Sequence, residues 1–304
     1  MKLTVLAGGT GSAKLLRGLK EEVGEFTIVS NVGDNFWRHG LYIAPDIDIA
    51  VYTLAGLADT AKGWGLRDDT FNALGQLARM GEETWFNLGD RDLATHIFRT
   101  EQLAHGRRLG DITTTICARL GVKQYVIPCT DDRLETYITT RTGAMHLQEF
   151  WVKNRGEPEV TGIEYRGEDG AKPEQRAIEA LERADRIVVC PANPVTSILP
   201  ILAVNGIRQA ITKSSARKVA VSPMIGGAPV TGPAGKMMRA IGVEANSLAV
   251  SRLYKGLVDR MLIVQADAKD VEAIGREGVQ AVVGPILMKN LEDERQLARE
   301  VMKV

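Results

Sequence analysis

The chain has 304 residues, and its 38 Lys plus Arg balance 38 Asp plus Glu, so the formal charge is zero. That length suffices for one large α/β domain or two small ones, and the neutral balance excludes a broad nucleic-acid-binding face while leaving room for a local basic pocket. Cys117, Cys129 and Cys190 form no CxxC pair, which fits buried thiols in a reducing compartment. No signal-peptide pattern is visible and no apolar run approaches the roughly 18 residues of a membrane span, so a soluble, cytoplasmic protein without membrane or nucleic-acid partners is expected.

The chain opens on an apolar run, Leu3 to Leu6, that breaks into Gly8, Gly9, Thr10 and Gly11. Ser12 then begins a stretch with helical spacing, Leu15, Leu16 and Leu19. Strand, glycine turn and helix start in that order place backbone N–H groups and a helix dipole against an anion. Lys14 stands where a dinucleotide fingerprint has its third glycine, and no Gly-Lys-Ser/Thr follows as in a P-loop. The site therefore reads as a phosphate or nucleotide cradle, with an ordinary tight turn as the alternative.

A second strand, Phe26 to Ser30, ends in Asn31-Val-Gly-Asp34-Asn35, at the sheet edge where open α/β proteins bind ligands. Asp34 suits a ribose hydroxyl, a metal or a helix cap. Pro45-Asp46-Ile-Asp48 follows, before the helical spacing of Ile49, Tyr52 and Leu54. Capping explains one of these acids. Asp34, Asp46 and Asp48 together make the oxygen-rich set that Mg²⁺ favours.

Residues 35 to 105 read as helical, with apolar spacing over Thr70 to Arg79 and Asp92 to Leu103. Three of the four tryptophans fall here, Trp37, Trp64 and Trp85. Singly such rings are core residues; as a group beside a glycine-loop site they suggest a wall for a flat heterocycle. In Asn87-Leu-Gly-Asp90-Arg91-Asp92, Arg91 can grip phosphate or carboxylate, Asp92 can cap a helix, and His96 one turn on reads as structural. Asp111 caps the next helix in this reading.

Strand Gln124 to Pro128 precedes residues 135 to 165, which alternate as β hairpins: Thr136 to Thr139, His146 to Val152 and Val160 to Tyr165. Helix Pro173 to Ala184 leads to strand Arg186 to Cys190 and the loop Pro191-Ala-Asn193-Pro-Val-Thr-Ser197, where Asn193 and Ser197 can cap a helix or hold a ligand. Helix Val204 to Ser214 and strand Lys218 to Ser222 run into a second anion-binding candidate, with Gly226, Gly227, Thr231, Gly232, Gly235 and Lys236. Strands Arg260 to Val264 and Gln280 to Val283 and a helix from Asn290 to Val301 end the pattern. Repeated strand, loop and helix units predict a single α/β domain with a mainly parallel, Rossmann-like sheet covered on both faces, a helical segment over about 46–122 and a β excursion over about 135–165.

These loops, in this order, resemble the 2-phospho-L-lactate transferase family of coenzyme F-420 biosynthesis over essentially the whole chain. The resemblance rests on Gly8-Gly9-Thr10-Gly11, Asn31-Val-Gly-Asp34, Pro45-Asp46-Ile-Asp48, Gly89-Asp90-Arg91-Asp92-Leu-Ala-Thr-His96, the Pro191-Ala-Asn193-Pro loop, and Ser222-Pro-Met-Ile-Gly226-Gly227 with Gly232-Pro-Ala-Gly235-Lys236. It implies an Mg²⁺-dependent enzyme that passes a phospho-lactate or phosphoenolpyruvyl group from a guanosine diphosphate-linked donor to the deazaflavin Fo and releases GMP. By the same resemblance Asp48 and Asp34 are the catalytic and metal-binding acids, with Asp46 a further metal ligand and Asp48 a deazaflavin contact. Gly8 to Ser12, Asn31, Asn193, Ser197, Gly226, Gly227 and Lys236 would line the substrates. Family members can carry Lys where Asn87 stands, so Arg91 takes a share of that contact. A homodimer is the default assembly. An NAD(P)-dependent oxidoreductase and a non-catalytic nucleotide sensor, similar to the YvcK-like proteins that share the opening motif, are the alternatives.

Overall fold

Seven short apolar strands make the centre of the molecule: β1 (Leu3–Ala7), β2 (Thr27–Ser30), β3 (Tyr125–Pro128), β4 (Arg186–Val189), β5 (Arg217–Val221), β6 (Arg260–Ile263) and β7 (Gln280–Val283). The computed structural model describes all residues except 230 and 231. The strands pair in the order β7-β6-β5-β4-β1-β2-β3, every pair parallel, with Thr4 opposite Thr27 on one side of β1 and Ile187 on the other. Val5, Leu6, Ile28, Val29, Ile187 and Val188 are fully buried, because helices cover both faces of the sheet. The Rossmann-like expectation is met. Between β1 and β4 the strand order reverses, and the loops there part to leave a crevice.

The helices that shape that crevice come early. They are α1 (Gly9–Glu22), α2 (Pro45–Leu54), α3 (Asn72–Arg79), α4 (Asp90–Ala104) and α5 (Leu109–Arg119). Leu15, Leu16 and Leu19 turn one stripe of α1 inward. Its other neighbours are α2 and the last helix, Leu291–Lys303. At that last contact Gly18 lets the backbones touch, since a Cβ there would overlap the Glu294 carbonyl. Beside it Arg17 Nε and Nη2 meet Glu294 at 2.5 and 2.7 Å, which neutralises a carboxylate that is 1% exposed.

Two segments depart from the sequence reading. Residues 36–43 are not helical but an antiparallel hairpin, Phe36–Arg38 against Leu41–Ile43. His39 and Gly40 both take positive φ (49° and 72°), the twist that a two-residue hairpin needs, so the turn chemistry overrode the apolar spacing. Residues 135–166 are strands as expected, Glu135–Thr140 pairing with Gly143–His146 and Val160–Arg166. However, Glu149–Lys153 is a helical turn rather than a continuation of the second strand. The helix starts also differ from expectation: Gly89 and Arg108 hold the cap positions, and Asp92 and Asp111 sit in the first turns behind them.

Gly18→Ala gains up to about 1 kcal/mol of helix propensity but forces two backbones apart, a cost of about 1–3 kcal/mol, so the melting temperature falls. Gly75→Ala in α3, where a Cβ meets nothing within 4 Å, carries the gain alone and raises it. Thermal melts of the two variants check the pair.

Candidate active site

A cleft of about 380 Å³ opens at the carboxyl ends of β1, β2, β4 and β5. Its floor is the turn from β1 into α1. Gly8 is extended there, and Ser12 Oγ both accepts from the Gly8 N–H (3.0 Å) and donates to the Gly8 carbonyl (2.8 Å). Ser12 thus closes the turn and does not line the cleft. Gly9, Thr10 and Gly11 do line it, with first-turn amides that have no partner inside the helix. Gly8 must be glycine, because a Cβ would lie 2.6 Å from Asp46 Oδ2 and 2.9 Å from the Cβ atoms of Asn31 and Ser197.

Beside this turn stand two carboxyl groups. Asn31 Nδ2 donates to Asp34 Oδ1 and to Asp46 Oδ2, each at 2.8 Å, and Gln148 Nε2 donates to Asp34 Oδ2 at 2.9 Å. Burial and the neighbouring Asp46 push the Asp34 carboxyl well above the usual carboxylate range, against the pull of Asn31 and Gln148. Burial likewise raises Asp46 to about 6, with Asn31 and the Gly9 N–H opposing it. Behind Gln148 lies His146, whose Nδ1 accepts the Gln148 N–H (3.1 Å) while Nε2 faces the Asn35 carbonyl (3.2 Å). Burial lowers its pKa, so a neutral ring holding one proton on Nε2 satisfies both contacts.

Asp48 does not complete a three-acid set. Two residues along a helix differ by roughly 200° in direction, so Asp46 faces the cleft and Asp48 faces away from it. Arg99 Nη1 donates to Asp48 Oδ2 at 3.0 Å, and Nη2 donates to Oδ1. His96 Nδ1 lies 3.6 Å from the same carboxylate, and its Nε2 lies 3.2 Å from Asp92, which also accepts from the Tyr52 hydroxyl at 2.6 Å. This is a buried ionic network under α2, and among the described residues no group of three His, Cys, Asp or Glu is placed to hold a metal.

Several other expected ligand contacts are engaged elsewhere. Lys236 Nζ donates to the carbonyls of Gly156, Glu157 and Pro158 at 2.5, 3.0 and 3.2 Å, which fastens one loop to another. The Gly226 N–H donates to Asp267, and neither Gly226 nor Gly227 lines the cleft. Thr231 lies outside the described residues. Arg91 donates to the Arg67 carbonyl at 3.0 Å, and Asn87 is exposed away from the cleft. Asn193 and Ser197 do line it, and Asn193 also caps the following turn through the Val195 N–H at 3.0 Å. Trp37 and Trp85 of the aromatic group line a separate pocket of about 270 Å³ with Phe36 and Tyr137, while Trp64 packs against Phe71 elsewhere. In the cleft itself, among the described residues, the aromatic is Trp151.

The sequence reading missed Lys14, Gln148, Trp151 and Ser222, all of which line the cleft. Lys14 is its one basic residue among those described, and it also donates to the Met288 carbonyl at 3.1 Å. A signal for it was present: the third position after Gly11 faces the same way as the glycine turn.

Comparison with known proteins settles the family. The family described as 2-phospho-L-lactate transferase CofD matches residues 3–295. The chain belongs to this family. A 2-phospho-L-lactate transferase of Methanosarcina mazei is 39% identical over 99% of this chain and 99% of its own length. A phosphoenolpyruvate transferase of Streptomyces griseus is 41% identical over 100% of this chain and 98% of its own. A crystal structure of a UPF0052 family protein from Bacillus halodurans shares the fold, with a TM-score of 0.61 at 18% identity over 99% of this chain and 98% of that one. The chain is therefore a transferase of the 2-phospho-L-lactate type, built on a Rossmann-like sheet.

For this family member the carboxyl pair has a measurable consequence. A carboxyl that holds its proton more tightly when folded stabilises the fold at low pH and loses that contribution as pH rises. For Asp46 the loss runs between the ordinary 3.8 and about 6. Without added divalent cation, stability and with it the melting temperature should fall across that window, by up to ~3 kcal/mol from Asp46 and further from Asp34, and Asp46→Asn should remove the Asp46 share of the fall. Melting curves at stepped pH read both.

Proposed function

We propose that the cleft transfers a phosphorylated three-carbon acid from a guanosine diphosphate-linked donor to the deazaflavin Fo, with release of GMP, in coenzyme F-420 biosynthesis. The observation that carries this reading is the pairing, in one cleft of a family member, of a helix-start glycine turn with two raised-pKa carboxyls. The Thr10 and Gly11 amides and the α1 dipole receive the diphosphate, and Lys14 adds the full positive charge that a dipole lacks. The acceptor hydroxyl attacks the phosphorus that carries the acid, a new P–O bond forms, and the bridging P–O bond to GMP breaks. The site's contribution is positioning and charge neutralisation more than covalent chemistry.

Mg²⁺ fits the residues present. Asp34 and Asp46 offer hard oxygen donors a short distance apart, and two carboxylates plus substrate phosphates are a common Mg²⁺ set. When bound it would neutralise charge on the phosphoryl oxygens and lower the pKa of the attacking hydroxyl. Asp34, fixed by Asn31 and Gln148, is then the group placed to take the hydroxyl proton. Asp48 acts through α2: its ion pair with Arg99 fixes the helix that presents Asp46. The acid on the donor is lactate, enolpyruvate or glycerate, which differ by one small group. The relatives carry both the phospho-lactate and the phosphoenolpyruvate name at similar identity.

Incubating purified protein with Mg²⁺, Fo and each of the three donors should give a phosphodiester of Fo and GMP in equal amounts with at least one of them. Asp46→Asn should reduce that turnover by about 10²-fold or more while keeping a folded melting profile. No product from any donor would sink the reading. Asp48→Ala is expected to lose stability as well as turnover, since it leaves Arg99 buried without its partner, at a cost of about 3–5 kcal/mol.

A further inference from the structure

We infer that Ser222 is a fixed hydrogen-bond acceptor for an N–H or O–H group on the nucleoside half of the donor, with its polarity set from below by Asp267. The inference rests on the transferase reading above. Ser222 follows β5 and lines the cleft on the side of β1 away from β2, whose loop carries Asp34. Its Oγ lies 2.8 Å from Ser247 Oγ, and Ser247 Oγ donates to Asp267 Oδ2 at 2.7 Å. The other Asp267 oxygen accepts the Gly226 N–H at 2.8 Å. None of the three side-chain residues exceeds 1% exposure.

Counting hydrogens fixes the direction of the chain. Ser247 has one hydroxyl hydrogen and gives it to Asp267, so toward Ser222 it can only accept. Ser222 therefore spends its own hydrogen on Ser247. One of its lone pairs takes the Met224 N–H at 3.1 Å, which leaves the other without a partner in a residue that lines the cleft. An oxygen that only accepts gains nothing from phosphate or carboxylate oxygens, which also only accept. In a nucleoside diphosphate-linked acid the matching groups are ribose hydroxyls and base N–H groups. Attack takes place beside the Asp34–Asp46 pair, so the nucleoside extends toward the opposite, β5 side of the cleft, where Ser222 lies. Asp267 touches no substrate in this scheme. It is a positioning residue.

Calorimetric titration of the full chain with GDP, 2′,3′-dideoxy-GDP and inorganic pyrophosphate, each with Mg²⁺, tests the assignment. Ser222→Ala should weaken GDP by roughly three- to tenfold, the loss of one hydrogen bond, and leave pyrophosphate unchanged. If a ribose hydroxyl is the partner, wild type loses the same factor on dideoxy-GDP and Ser222→Ala loses no more. If a base N–H is the partner, dideoxy-GDP behaves as GDP in both proteins. Asp267→Asn, whose amide can donate to Ser247, should reverse the chain, so GDP weakens while pyrophosphate does not. Where that variant melts as an unfolded chain, Ser247→Ala, which frees the Ser222 hydrogen, should lower the GDP-to-pyrophosphate preference in the same direction. Equal loss of GDP and pyrophosphate in Ser222→Ala, or no loss of either, overturns the assignment. Failure of wild type to bind GDP at all would instead remove the donor reading beneath it.

Discussion

Asn31 has two amide hydrogens and three acceptors around them. Asp34 Oδ1 and Asp46 Oδ2 lie at 2.8 Å and the Thr196 carbonyl at 3.1 Å, while its own Oδ1 accepts the Gly33 N–H at 2.8 Å and fixes which way the amide faces. One side chain therefore ties the loop after β2, the start of α2 and the loop after β4 into one wall. It also leaves the two carboxyls short of donors. A proton or a cation must supply the rest, and the raised pKa of both acids is the same shortage seen as proton affinity.

The local fields alone favour the opposite result. The N-termini of α1 and α2 meet at this wall, close enough that Gly8 has no room for a Cβ against Asp46. Each helix end favours an anion by about 0.3–1 kcal/mol. Burial and mutual repulsion outweigh them, as the upward shifts show. A site designed only to hold anionic phosphate would not place two acids at two helix starts. On the proposed reading a divalent cation would give both a use, with the dipoles turned to the phosphate and the acids to the cation.

What the sequence made legible is local. The glycine turn, Asp34, Asp46, Asn193 and Ser197 sit in strand–loop–helix units, where a short stretch carries its own geometry, and all of them reach the cleft. The parallel sheet followed from the same units. Asp48, Lys236 and Gly226 stand outside the cleft, against partners far along the chain that no local pattern shows: Arg99 for the first, the carbonyls of residues 156–158 for the second and Asp267 for the third. Gln148 and Trp151 were missed for a related reason. They belong to the β excursion, and nothing in its alternating pattern says that the connection between its second and third strands reaches the crevice. The hairpin at residues 36–43 shows the limit of apolar spacing, where His39 and Gly40 carried the deciding signal and the aromatic residues obscured it.

The Asp46–Asp48 pair explains how so polar a wall stays rigid. Both acids lie in the first turn of α2, yet they serve opposite faces of it. Asp48 is locked by Arg99, a fully buried guanidinium, with His96, Asp92 and Tyr52 around it. Such a pair adds little net stability over an apolar substitute, because desolvation consumes most of the Coulombic gain. It does fix orientation, since a bidentate guanidinium tolerates little rotation of its carboxylate. Holding α2 by one acid sets the direction of the other, so Asp46 faces Asn31 and the glycine turn. The helical segment over α3, α4 and α5, which supplies Arg99, His96 and Asp92, therefore contributes no wall to the cleft and still determines its shape.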